Sequence, residues 1–248
     1  MNEAERLKEK IKIKRKSELM YWCFFIVVVT VGLCYIILQS ANTYKPDPSL
    51  YVKYNLSEDI IPNPVQNMIE KESFVIRKYG VDIKITKLAS YDITGKVEGI
   101  KDYSSNLFSN FLNFESAKMA DYISPRDLAV SWGEIALKKN SGFIEADQYC
   151  LNQDRVVYYK YTNDLIKEYG EEYILSHISN NHVVTLNKDL ERELLKIKVT
   201  DIVRIKGYLI DVSCSNGYRW GPSSMTREDK GLHSCEILLA EDIVIMNR

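Results

Sequence analysis

The densest run of chemically capable side chains is Ser223-Ser224-Met225-Thr226-Arg227-Glu228-Asp229-Lys230-Gly231-Leu232-His233-Ser234-Cys235-Glu236. Glu228, Asp229 and Glu236 are of the type that serves as general base or binds a cation. Arg227 can hold a phosphate or carboxylate through two parallel hydrogen bonds. Arg227, Glu228, Asp229 and His233 are therefore the catalytic candidates, the set that a metal-dependent hydrolase or nuclease would gather around a divalent ion. A second set, His182, His233, Cys235 and Glu236, combines the imidazole, thiol and carboxylate groups of a zinc site. Against both stands a plainer reading, a polar loop whose Ser, Thr and Asp side chains satisfy its own backbone while Arg227 bridges to Glu228 or Asp229. No spacing in the run is diagnostic. The five-residue gap between His177 and His182 is not the i, i+4 interval that sets two ligands on one helical face. The chain has no Gly-x-Ser-x-Gly elbow, P-loop or Gly-x-Gly-x-x-Gly, so no cofactor is expected and the balance leans away from an enzyme.

What must position these residues begins with a location. Leu19 to Leu38 reads LMYWCFFIVVVTVGLCYIIL, 20 residues without a charge. At ~1.5 Å per residue a helix of that length crosses a ~30 Å hydrocarbon core. Tyr21, Trp22 and Tyr35 lie near its ends, where amphipathic rings suit the headgroup region. Residues 1–18 carry Arg6, Lys8, Lys10, Lys12, Lys14, Arg15 and Lys16, whereas 39–58 carry only Lys45 and Lys53. This asymmetry predicts a cytoplasmic amino terminus and a carboxyl-terminal domain across the inner membrane. The run is too long for the apolar region of a cleaved signal, and Leu38-Gln39-Ser40 is a poor cleavage site, so an uncleaved single-pass anchor is expected.

The whole chain has 33 basic and 34 acidic residues in 248, and the part after the tail is mildly acidic. Without clustered Lys and Arg, counterion release offers little, and no nucleic-acid partner is expected. Residues 39–69 hold four of the six prolines and read as an extended spacer.

Residues 70–248 read as one extracytoplasmic α+β domain. Phe74–Ile76 and Val81–Ile85 look like short strands, and Tyr91–Ile100 like a strand bulged around Gly95 and Gly99. Ser124-Pro125-Arg126-Asp127 has the form of a helix start, which predicts a helix to about Leu137. A strand is expected over Arg155–Tyr161, a helix broken at Gly170 over Asp164–Ile178, and a helix over Lys188–Ile197. Asp201–Val212, the turn Ser215-Asn216-Gly217 and Glu236–Met246 complete the pattern. Together they suit a small OB-like β-barrel, or alternatively an NTF2-like sheet wrapped by helices. Cys150, Cys214 and Cys235 lie in the expected external part, with Cys214–Cys235 the first choice should a disulfide form.

Several blocks of the carboxyl region carry a resemblance. They are Tyr91 to Val97, Ser124 to Gly133, Ser179-Asn180-Asn181-His182, Gly207 to Ile210, Trp220, Ser223 to Asp229, Gly231 and Cys235-Glu236. In these the chain resembles a family of bacterial membrane-anchored envelope proteins that has no assigned function. The resemblance implies a bacterial, extracytoplasmic domain over about residues 91–245 and transfers no activity. The expected role is thus a binding or scaffold module tied to the lipid bilayer through 19–38, with an envelope protein or a second copy as partner. The alternatives are a membrane-tethered metal-dependent hydrolase and a subunit of a secretion or conjugation complex.

Overall fold

The computed structural model describes residues 20–33, 44–52, 54–55, 58–78, 80–103, 119–151, 154–226 and 235–246. At 147–151, 154 and 156 only the backbone is described. The chain forms two compact units, Met1–Lys45 and Pro46–Arg248.

In the first unit residues 20–33 form helix α1, whose Thr30 hydroxyl donates to the Ile26 carbonyl one turn back. Among the described residues no helix is long and apolar enough to cross a membrane. The tail 1–18 and the remainder of the expected span, Leu19 and 34–38, lie outside the described residues.

The second unit is mixed α+β and dominated by strands. Strands β1 (Val65–Lys78) and β2 (Val81–Asp102) form a long antiparallel hairpin. Helix α2 (Met119–Ile123) precedes β3 (Arg126–Ser131), and a second hairpin follows, β4 (Ile144–Leu151) with β5 (Asp154–Tyr161). Helices α3 (Asn163–Tyr169) and α4 (Glu171–Ser176) lead to β6 (Ile178–Val184), then α5 (Lys188–Lys196). Strands β7 (Ile202–Cys214), β8 (Arg219–Trp220) and β9 (Glu236–Ile245) complete the order.

Pairing runs β1-β2-β3-β6-β9-β7-β8, and β2 also pairs with β7. The extra pairing closes β2, β3, β6, β9 and β7 into a five-strand ring. Every contact in it is antiparallel except β6 with β9. Strand β2 can serve two neighbours on one edge because it is long and bulged. Residues up to Asp92 pair with β1, those from Lys96 onward pair with β3, and the register shifts between Val97 and Gly99. Closure also needs a glycine on β7, since a Cβ on Gly207 would stand 1.9 Å from the Leu239 carbonyl oxygen of β9.

Helix α5 lies between the third and fourth ring strands in sequence. Asn187 caps it by accepting from the Asp189 amide, and Leu190 and Leu194, one turn apart, are buried. Arg126 of β3 reaches its carboxyl end and donates to the Leu194 and Ile197 carbonyls at 2.8 and 2.9 Å. An apolar cluster around Ile85, Val212, Ile237, Leu239 and Val184 packs against Met119, Tyr122 and Ile123 of α2.

Most expected elements are present. The break at Gly170, which has φ +80°, and the turn at Gly217, with φ +89°, fall where glycine makes positive φ inexpensive. The helix expected over 124–137 is instead strand β3 followed by short 3-10 turns. Leu128, Val130 and Trp132 recur at period two, which is strand spacing, and all six residues of β3 are buried. Ser124, expected as a helix cap, gives its hydroxyl and carbonyl oxygens to Arg155.

The proline-rich stretch expected as a spacer over 39–69 joins this unit from Pro46 onward. Leu50 and Ile61 are buried, the Leu50 carbonyl accepts from Arg204, and the Ile61 carbonyl accepts from the Gly133 amide.

Candidate functional site

Four ionisable groups meet beneath the β4–β5 hairpin. Asp127 of β3 and His182 of β6 are direct register partners, so their side chains leave the same face of the ring. His182 Nδ1 lies 3.0 Å from Asp127 Oδ2, an ion-pair contact made off the line of the ring N–H. Arg155, carried in by β5, donates to Asp127 Oδ1 at 2.8 Å and to Asp121 Oδ1 at 2.7 Å. It also donates to the Ser124 hydroxyl at 3.0 Å and the Ser124 carbonyl at 2.8 Å. Its guanidinium carbon stands 3.6 Å from the centre of the Tyr103 ring and 5.3 Å from that of Trp220, whose ring also leans on His182.

Asp127 is 1% exposed, His182 3% and Arg155 6%. Charges so deeply buried must neutralise one another, and here two carboxylates face a guanidinium and an imidazole. Burial by itself would raise the Asp127 carboxyl, but Arg155 and His182 outweigh it and hold the group below the usual carboxylate range. For His182 burial works against the proton, yet the Asp127 charge prevails, with Cys235 contributing, and the imidazole is pushed up to about 9. At neutral pH the Asp127 carboxylate is thus held between two cations, Arg155 and His182.

Cys235 enters from the start of β9. Its sulfur accepts from Asn180 Nδ2 at 3.6 Å. The buried Tyr159 hydroxyl, raised by burial, also feels Cys235 and Glu236.

The expected zinc set is divided by strand alternation. His182 is registered with Ile237 and Asn181 with Glu236, so Glu236 projects from the face opposite His182. Among the described residues no group of three or more His, Cys, Asp and Glu is arranged to hold a metal ion. Arg227, Glu228, Asp229 and His233, the catalytic candidates, lie outside the described residues. His177 belongs to a separate aromatic stack, its ring 3.8 Å from that of Tyr173. Cys214 and Cys235 are both free thiols, so the pairing that would be the first choice should a disulfide form is not made; the Cys150 side chain lies outside the description.

Sequence spacing names His182 and Cys235 but misses Arg155 and reads Asp127 only as a helix cap. Arg155 is 28 residues from Asp127 and 34 from Asp121, and no periodicity links such positions. The segments 124–133, 179–182, Trp220 and Cys235-Glu236, quoted above for a family resemblance, contribute most of the cluster. No protein-family model, curated protein or solved structure matches the chain.

Proposed function

We propose that the chain is a single-pass bacterial envelope protein, amino terminus in the cytoplasm, whose extracytoplasmic domain is a binding or scaffold module built on an OB-like barrel. The charge-free run Leu19–Leu38 carries this reading, supported by the helical backbone over 20–33 and the cations confined to its amino-terminal side. The OB-like assignment rests on the closed ring, its one parallel pair, and α5 between the third and fourth ring strands.

In such barrels the face of the second and third strands takes oligonucleotides. Here those strands are β3 and β6, and the chain's own hairpin brings Arg155 onto them, where Asp127 and Asp121 absorb its charge. A mildly acidic domain with that face filled favours a protein partner, an envelope component or a second copy, over nucleic acid.

A reporter enzyme active only outside the cytoplasm, fused after Arg248, tests the reading. Activity, together with a product that resists carbonate extraction, is expected. A fusion active only in the cytosol, or a product released by carbonate, overturns it. Photocrosslinking from exposed positions of β1, such as Met68, should then trap a protein in intact membranes.

A further inference from the structure

The seven-strand sheet ends in β8, only two residues long, and in β1, which has 14. Among the described residues β1 pairs with β2 alone, so its outer edge presents backbone donors and acceptors on which another strand can add. No residue of β1 is buried. Proteins blunt such edges with charges, bulges or covering chain. The first half of β1 has all three. Its register shifts between Met68 and Glu72, the shifted stretch carries Glu70 and Lys71, and Gln66 donates to the Met225 carbonyl at 3.1 Å. Residues 72–78 pair with β2 without a break, and Ser73, Phe74, Val75 and Ile76 carry no charge. Val75 is 62% exposed. On the other face of the strand Phe74 and Ile76 pack against the apolar cluster and stay only partly covered.

This half of the edge is complementary to itself. Two copies related by a two-fold axis pair antiparallel, and facing residues then lie on one face of the joined sheet. The axis must therefore pass through a residue. Centred on Val75, the pairing sets Glu72 against Lys78, Ser73 against Arg77, Phe74 against Ile76 and Val75 against itself. Opposite charges meet, apolar groups meet, and no like charges do. Lys78 already donates to the Tyr122 carbonyl at 2.6 Å, and Glu72 lies 3.5 Å from the Lys87 ammonium, so both charges are held in place before a partner arrives. Neighbouring registers are worse. Centring on Phe74 sets Glu72 against Ile76 and brings Lys71 toward Arg77. Centring on Ile76 sets Phe74 against Lys78 and Val75 against Arg77.

We propose that a second copy of the chain adds to the β1 edge, antiparallel and centred on Val75, joining the two sheets across a two-fold axis. Main-chain hydrogen bonds supply the attraction, and the side chains of 72–78 fix the register. This rests on the reading of the domain as a protein-binding module and names its partner and its surface.

The test is sedimentation velocity of the full chain in detergent over the micromolar range. The parent should dimerise. Val75→Lys and Val75→Asp each place like charges opposite one another on the axis, and each should raise the dimer Kd at least about tenfold. An equimolar mixture of the two variants should associate about as tightly as the parent, because only the mixed pair sets opposite charges together. A dimer of unchanged affinity in both variants overturns the proposal, since the interface then lies elsewhere. A mixture no tighter than either variant alone also overturns it. Should a variant lose its native circular dichroism, Val75→Cys decides. Mild oxidation should link two copies through position 75, and no such link overturns the proposal. A monomeric parent overturns the second copy without touching the binding reading, which then depends on the Met68 crosslink trapping a different protein.

Discussion

Strand β3 carries a buried ion cluster near each end, and the two are assembled in opposite ways. At the Ser131 end, Lys96 and Glu98 come from one strand, two residues apart across a bulge. Lys96 Nζ lies 3.0 Å from Glu98 Oε1, and the Ser131 hydroxyl donates to the same oxygen at 2.7 Å. At the Asp127 end, Asp121, Asp127, Arg155 and His182 come from α2, β3, β5 and β6. The first cluster needs only β2 and β3, paired in antiparallel register. The second forms only after the β4–β5 hairpin has folded back onto the ring, so it fixes long-range structure. A buried ion pair is weak evidence for stability in itself, because desolvation consumes most of the Coulombic gain. Its structural use is specificity, and the Asp127 cluster is placed to specify where the hairpin docks.

The largest effect should therefore come from Arg155→Met. It removes the donor shared by Asp127, Asp121 and Ser124 and leaves the Asp127 carboxylate buried beside His182 alone. Removing one partner of a buried pair costs about 3–5 kcal/mol, and urea unfolding should show a loss of that size. Combining Arg155→Met with Asp127→Asn should recover part of it, because the stranded charge is gone. A loss below about 1 kcal/mol would place the cluster with ordinary surface ion pairs and dissolve the contrast.

Titration separates the ends further. The His182 proton is held more tightly in the folded state, up to about 9 against an ordinary value of 6.5. The stability it contributes is complete below 6.5 and disappears as pH rises through about 9, at most about 3 kcal/mol by linkage. Glu98 is also raised, by burial that Lys96 and Ser131 only partly offset. A raised carboxyl likewise costs stability as pH rises, but from its ordinary 4.5 upward and so in a more acidic window. Asp127 acts oppositely, because its lowered carboxyl loses stability as pH falls below 3.8. Urea midpoints followed between neutral and alkaline pH should decline in the parent and flatten in His182→Gln. An equal decline in the variant would assign the alkaline loss elsewhere.

The same division explains how far the sequence could be read. Strands β2, β7 and β9 and helix α5 are legible because their apolar periodicity and turn glycines are local signals. The bulge at Gly99 and the turn at Gly217 belong to the same class. Strand β3 is not, since a Ser-Pro-Arg-Asp start imitates a helix cap and burial on both faces erases the alternation that marks a half-exposed strand. Strand β6 reads Ile178-Ser-Asn-Asn-His-Val-Val, polar in the middle, because His182 serves the cluster and Asn180 bonds the Cys235 sulfur rather than an apolar core. The site is harder still. His182 and Cys235 are visible as residue types, but Asp127 and Arg155 acquire their roles only from ring closure and hairpin docking, contacts that no spacing encodes.

The smaller effect belongs to the local cluster. Lys96→Met leaves Glu98 buried, but Glu98 keeps the Ser131 hydroxyl and, already raised by burial, can take up a proton rather than remain charged. Neutralisation caps the cost, which should be about 1–3 kcal/mol at neutral pH and shrink as pH approaches the acid side, where the carboxyl is protonated anyway. The urea midpoints of parent and variant should therefore converge on acidification. For Arg155→Met they should stay apart over the same range, because the lowered Asp127 carboxyl in the parent does not protonate there. Lys96→Met matching Arg155→Met in size at every pH would show that the two ends of β3 are equivalent. Convergence for one and not the other would show that the two ends of β3 answer to different titrating groups, Glu98 at one and Asp127 at the other.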